Sequence, residues 1–235
     1  MIYDKILLDK VYEMYIREMF GYNEKCLVCR NIANNYDKEL INGPLPIFHI
    51  GKEFAKLEKR LFIVGMVAYN WSDIIPNPSQ TWHKIFENKE NEKTILQDKI
   101  ENRIYELITA PEVKFMYYLN YALTKIFESA ENGFNNIALS NFVHCNNNSE
   151  GETKDKIPQY VRNICADKIQ NGFIFKEIEI INPTHVLGLS NDEHYTRFMN
   201  GIDNNTWKFK AITHPSAPGR SYEGFTNDIL DFLNT

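Results

Sequence analysis

Leu61-Phe-Ile-Val-Gly65 follows a charged stretch and precedes a polar, proline-containing one, Asn70 to Gln80. A short unbroken apolar run reads as a strand buried on both faces, as in a parallel sheet; a strand with one wet face alternates instead. Working outward, Ile137-Ala-Leu-Ser-Asn141, His185-Val-Leu-Gly188 with Leu189, and Phe209 to Thr213 read as three further strands. Helical patterns lie between them at about 92–109 and 114–128 and over most of 157–181, where Asn182-Pro183 ends the run. A final helix covers 223–233. Residues 3–20 form an amphipathic helix, with Ile6, Leu7, Val11, Met14, Tyr15 and Met19 at helical spacing and Gly21 suited to its C-terminal cap. Strands separated by helices imply right-handed βαβ crossovers. The expected fold is therefore α/β, three layers (α/β/α) around a central four-stranded parallel sheet. Ligands in such sheets sit beyond the carboxyl ends of the strands. That rule gathers Gly65–Asn70, Asn141–Cys145, Ser190–Asn191 and His214–Arg220 around one cleft.

At 235 residues the chain can bury a sizeable core, and one domain is expected over 1–235. Within it, 1–21 is the N-terminal helix and 22–60 a loop region carrying a cysteine pair. An apolar fraction of 43% and an aromatic fraction of 13% exclude a disordered chain. No run approaches the apolar length of a membrane span. Met1-Ile-Tyr-Asp-Lys5 lacks the basic-then-apolar layout of a signal peptide, so a cytoplasmic location is expected. The net charge of −5 supplies no overall attraction to nucleic acid. Any contact with DNA must rest on a local patch and on backbone donors.

The four cysteines fall as Cys26-x-x-Cys29, then Cys145 and Cys165. In a reducing compartment such a pattern is read as metal binding before disulfides. A close pair plus two distant thiols suits one four-thiolate site assembled from three places in the fold. Zinc and an iron–sulfur cluster both accept that donor set. The alternative is four unrelated buried cysteines acting as small apolar residues.

These segments resemble the uracil-DNA glycosylase superfamily, in particular its iron–sulfur branch, over roughly residues 22 to 232. Gly65-Met-Val-Ala-Tyr-Asn70 stands where that family carries a glycine-led first motif. Ser140-Asn141-Phe-Val-His-Cys145 is similar to its second strand, which ends in Asn and is followed by a cluster cysteine. Pro183-Thr-His-Val-Leu-Gly-Leu189 is similar to its third strand, and His214-Pro-Ser-Ala-Pro-Gly-Arg220 carries the His-Pro-Ser signature that opens its last motif. The resemblance implies a glycosylase-like α/β fold, a structural [4Fe–4S] cluster on Cys26, Cys29, Cys145 and Cys165, and DNA as the partner of a monomeric enzyme. It also implies hydrolysis of an N-glycosidic bond to a damaged or modified pyrimidine. Tyr69 matches the tyrosine that excludes a 5-methyl group, and Trp82 stands near the place of an aromatic that stacks on the flipped base.

The residues suit that chemistry. An enzyme cutting an N-glycosidic bond in DNA extrudes the nucleotide and reads its hydrogen-bonding edge. Asn141 offers a donor and an acceptor on one amide; the alternative is an Asn capping a strand end. His214 is placed to donate to a base oxygen as charge develops on departure; the alternative is a histidine fixed by its neighbours. Ser216, Gly219 and Arg220 suit phosphate contact through a hydroxyl, an unobstructed amide and a permanent cation, and Arg220 equally suits a wedge into the duplex or an ordinary surface position. The departure that matters is Val67, where several branches of the family place an acid or amide to handle the attacking water. Asn70 and Asp73 are the nearest polar substitutes. No lysine sits in these motifs to form a Schiff base, so a monofunctional enzyme is expected. The rival class is a nucleic-acid-binding or partner-binding protein that kept the fold without the chemistry.

Overall fold

The run read as a buried strand is one, and it occupies the middle of the sheet. The computed structural model describes residues 3–20, 49–67, 78–143, 172–190 and 206–235. In chain order the elements are α1 (Lys5–Phe20), β1 (His49–Ile50), β2 (Leu61–Val67), α2 (Pro78–Thr109), α3 (Lys114–Phe127) and α4 (Ala130–Asn136). They continue as β3 (Ile137–Val143), α5 (Phe173–Ile181), β4 (His185–Leu189), β5 (Lys208–Ile212) and α6 (Tyr222–Leu233). The sheet runs β1-β3-β2-β4-β5. β2 pairs in parallel with both β3 and β4, and β4 with β5, so the four expected strands are all present and parallel. β1 adds a fifth, antiparallel to β3, making the sheet mixed. At two residues it is too short to show any period in the sequence.

Burial explains the apolar runs. Leu61, Phe62, Ile63 and Val64 are each at most 1% exposed, and every residue of β4 is buried. The connections β2→β3 and β3→β4 move in opposite directions across the sheet, so right-handed crossovers put their helices on opposite faces. On one face α3 packs against α4 and α6. His185, Lys208 and Lys210, at alternate positions of β4 and β5, meet α6: the His185 ring lies 5.1 Å from Phe232, Lys210 lies 3.7 Å from Asp228, and Lys208 donates to the Thr235 carbonyl. On the other face α1 packs on α5. There Tyr15 and Phe173 have ring centroids 5.3 Å apart, the Tyr15 hydroxyl donates to the fully buried Glu177, and Lys176 pairs with buried Glu18 at 2.8 Å. Losing one partner of such a buried set strands its polar mate, which typically costs about 1–3 kcal/mol.

The two rims of the sheet differ. At the amino rim Arg60 ties β2 to β4: its N–H donates to Thr184 Oγ1 (2.8 Å), its Nε to the Asn182 carbonyl (2.7 Å), and its carbonyl accepts from Thr184 N–H (3.1 Å). Asn182 ends α5 in the left-handed conformation (φ 49°), and Pro183 prevents continuation. The carboxyl rim receives the segments that carry the candidate chemistry.

Two boundaries differ markedly from the sequence reading. α2 starts at Pro78, far earlier than the apolar pattern suggests, because proline is well suited to a first helical position and the charged run that follows hides any apolar stripe. β3 continues through Asn141 to Val143 instead of ending at the asparagine. Of the stretch 157–181, the described part is helical from Phe173, and Gly21 lies outside the described residues. Among the described residues no helix is long and apolar enough to cross a membrane.

Buried His49 contacts the Phe134 carbonyl through Nε2 at 2.8 Å, and burial pushes its pKa down to about 4 despite that bond. Burial also lowers His185. His49 is therefore neutral in the fold and takes up a proton on unfolding below its ordinary value of 6.5. Its contribution is complete above pH 6.5 and falls away toward pH 4, a loss on the order of 3 kcal/mol. Urea unfolding at pH 7 and pH 5 should show a shallower pH dependence for His49→Gln, which keeps a donor and does not titrate. Equal dependence in both proteins would remove His49 from the account.

Candidate functional site

Parallel register sets the site. Gly65 pairs with Asn141 across β2 and β3, so both face the same side of the sheet. A Cβ placed on Gly65 would lie 2.6 Å from Asn141 Oδ1. The amide thus occupies the space that the missing side chain leaves. Asn141 is partly exposed and lies within the strand, which disposes of the strand-end cap as the reason for it.

His214 approaches from the other end of the rim. Its loop is two consecutive turns: Ala217 N–H bonds the His214 carbonyl (2.9 Å) and Arg220 N–H the Ala217 carbonyl (3.4 Å). Pro218 and Gly219 (φ 74°) occupy the central positions of the second, the arrangement of a type II turn. Nothing lies within 4 Å of a Cβ built on Gly219, so its backbone is unobstructed. The Ser216 N–H donates to His214 Nδ1 (3.1 Å). A backbone N–H only donates, so Nδ1 is the acceptor and the proton of the neutral ring sits on Nε2.

Helix α3 cradles this loop. Phe115 lies 6.0 Å from the His214 ring, Lys114 Nζ is 3.4 Å from the Ser216 carbonyl, and the Tyr118 hydroxyl donates to the Arg220 carbonyl. None of these three residues is marked by the sequence, because the Lys114 and Tyr118 contacts each span 102 positions, the Phe115 contact is similarly remote, and none follows a local motif. Since α3 and α6 cover the face that Gly65 and Asn141 share, Asn141 and the His214 loop lie on the same side of the sheet. Asn141 on β3 and Ile212 on β5 are three strand spacings apart, roughly 14 Å at 4.7–4.9 Å each.

Arg220 is directed into the protein. Its guanidinium pairs with Asp228, donates to the Gly224 carbonyl (3.4 Å) and lies 6.0 Å from the Phe225 ring. It anchors the loop to α6. Val67 ends β2 opposite Val143, and Trp82 lies in the first turns of α2; their side chains are outside the described residues. Tyr69 and Asn70 lie outside the described residues altogether, as do Cys26, Cys29, Cys145 and Cys165. Among the described residues no group of His, Cys, Asp and Glu is arranged to hold a metal.

The attachment points of the cysteine segments are nevertheless described. α1 starts beside β1, where Asp4 N–H bonds the Ile50 carbonyl at the amino end of β3. Its later residues, Tyr15 and Glu18, meet Phe173, Lys176 and Glu177 in the opening turns of α5. α5 starts at the carboxyl rim because it returns the chain from the end of β3 to the start of β4. Of the described residues that flank the cysteine segments, Phe20, Val143 and Phe173 lie toward the same rim as Asn141 and His214, whereas His49 pairs with Leu139 lower in β3. No protein-family model matches the chain, and no curated protein matches it.

Gly65→Ala tests the register directly. Its Cβ collides with the far end of a side chain, so the fold should survive while the Asn141 amide is displaced. The expected outcome is a melting temperature within a few degrees of the parent and a shifted Asn141 side-chain amide resonance; an unmoved resonance would contradict the packing.

Proposed function

We propose that the chain is a monofunctional DNA glycosylase acting on a damaged or modified pyrimidine. What supports this reading is that Asn141, its amide held over Gly65, and His214, its Nδ1 accepting from the Ser216 N–H, lie on the same side of the sheet at the carboxyl ends of the strands. Asn141 presents a donor and an acceptor to the edge of an extruded base. His214 Nε2–H donates to a base oxygen as the glycosidic bond breaks and its electron pair moves onto the base. Water then adds hydroxide to the sugar carbon, and its remaining proton neutralises the departing base. With valine at 67, the leaving base must be a stable anion on its own, which favours damaged or modified pyrimidines over reliance on a strong general base. The four strands in parallel and the helices on both faces support the glycosylase-like fold.

The four thiolates suit a [4Fe–4S] cluster, with zinc as the alternative. Such a centre would supply structural support, holding the Cys26-x-x-Cys29 loop against the 145–165 region. Exposed Gly219 and the Ser216 hydroxyl suit contact with phosphate.

Release of free base from a panel of modified duplexes and single strands tests the reading. His214→Ala is expected to lower release about 10²–10³-fold, the usual effect of losing one such donor, and Asn141→Ala to lower it with a loss of base discrimination. DNA binding without release of any base would instead favour the non-catalytic binding protein. A brown preparation absorbing in the iron–sulfur charge-transfer region is expected; a colourless, zinc-loaded one would replace the cluster with zinc.

A further inference from the structure

Leading away from the His214 loop, α3 carries a ladder of rings and cations whose outer members, Tyr117, Tyr121, Lys125 and the neighbouring Tyr222, the candidate chemistry does not use. Lys114, Tyr118, Tyr121 and Lys125 recur along one stripe of the helix. Lys114 Nζ lies 5.7 Å from the centre of the Tyr118 ring, and Lys125 Nζ 5.6 Å from that of Tyr121. Tyr222, which opens α6, stacks on Tyr118 (4.2 Å, 24°) and leans on Tyr121 (5.2 Å). Tyr222 remains 40% exposed and Tyr117, on the neighbouring stripe, 49%. Tyr121 is held by its hydroxyl bond to Glu223 (2.9 Å). Tyr118, Tyr121 and Tyr222 are pre-stacked, so little rotamer freedom is left to lose when a further ring adds to the stack.

We infer that this ladder is a docking track for single-stranded nucleic acid, on which bases flanking the extruded nucleotide stack against Tyr222 and Tyr117. The choice of partner rests on the proposed function of the neighbouring site. The ring–cation arrangement carries the rest, because base–aromatic stacking is worth about 1–3 kcal/mol per base and tolerates any sequence. Lys114 and Lys125 stand about 16 Å apart along the helix, at 1.5 Å per residue. Glu223, lowered by its own backbone hydrogen bond, by Tyr121 and by the Lys125 charge, offsets Lys125. Lys114, beside the Ser216 carbonyl, is therefore the cation that meets a phosphate. A track built on stacking with one effective cation suits an acidic protein and needs unpaired bases, so it selects an open strand over a duplex.

The test is a titration of the full chain with an unmodified, dye-labelled strand of about twelve nucleotides, within the usual site sizes for such surfaces, and with the same strand annealed to its complement. The open strand should bind more tightly than the duplex. Tyr222→Ala and Tyr117→Ala should each weaken it about tenfold, with Tyr222→Phe binding as the parent does. Lys114→Gln should flatten the dependence of log K on log salt by about 0.7. Should Tyr222→Ala fail to fold, Tyr117→Ala gives the same reading from a more exposed ring. Equal binding of strand and duplex, or alanine variants that bind like the parent, overturns the track. If no modified base is ever released yet these effects hold, the glycosylase reading falls and the track stands. If base is released while the alanine variants bind normally, the track falls alone.

Discussion

The double pairing of β2, with β3 on one side and β4 on the other, is the constraint on which the architecture depends. It reverses the direction in which the chain travels across the sheet. The helices consequently divide between two faces, and the rim beside β2 becomes a crevice with walls from two crossovers. Arg60 closes the opposite rim by bonding to Thr184 and Asn182. Among the described residues, Gly65, Asn141 and the His214 loop are thereby brought to one end.

Within that end, rigidity comes from different sources on the two sides. Asn141 is fixed by sheet register and by the absence of a side chain on Gly65. The His214 loop lies beyond the sheet and takes its shape from two turns, the Tyr118 and Lys114 contacts, and the Arg220–Asp228 pair. That pair is partly buried and supplemented by the Gly224 carbonyl, so it resists screening better than an exposed pair does. A donor held this way needs little reorganisation when charge develops in front of it.

β2 and β4 were legible because burial on both faces leaves an unbroken apolar signature, and Asn182-Pro183 marked a helix end with equal clarity. α2 was misjudged at its start because its first turns carry proline and charge, where propensity and pattern disagree. β1 was invisible because two residues cannot display alternation. In the candidate site, Gly65, Asn141 and His214 were visible as residue types, yet their relations were not. The hydrogen bond that fixes the His214 tautomer depends on turn geometry, and Arg220 found its carboxylate partner one helix away. Lys114 and the tyrosines of α3 carry no motif; only folding brings them to the loop.

The fit of an amide oxygen into the space over a glycine also links two positions across strands. A side chain at 65 can be accommodated only if the group at 141 shortens or swings away. Drift at either position is consequently contingent on the other, and sequences that retain this sheet should change the two together or not at all.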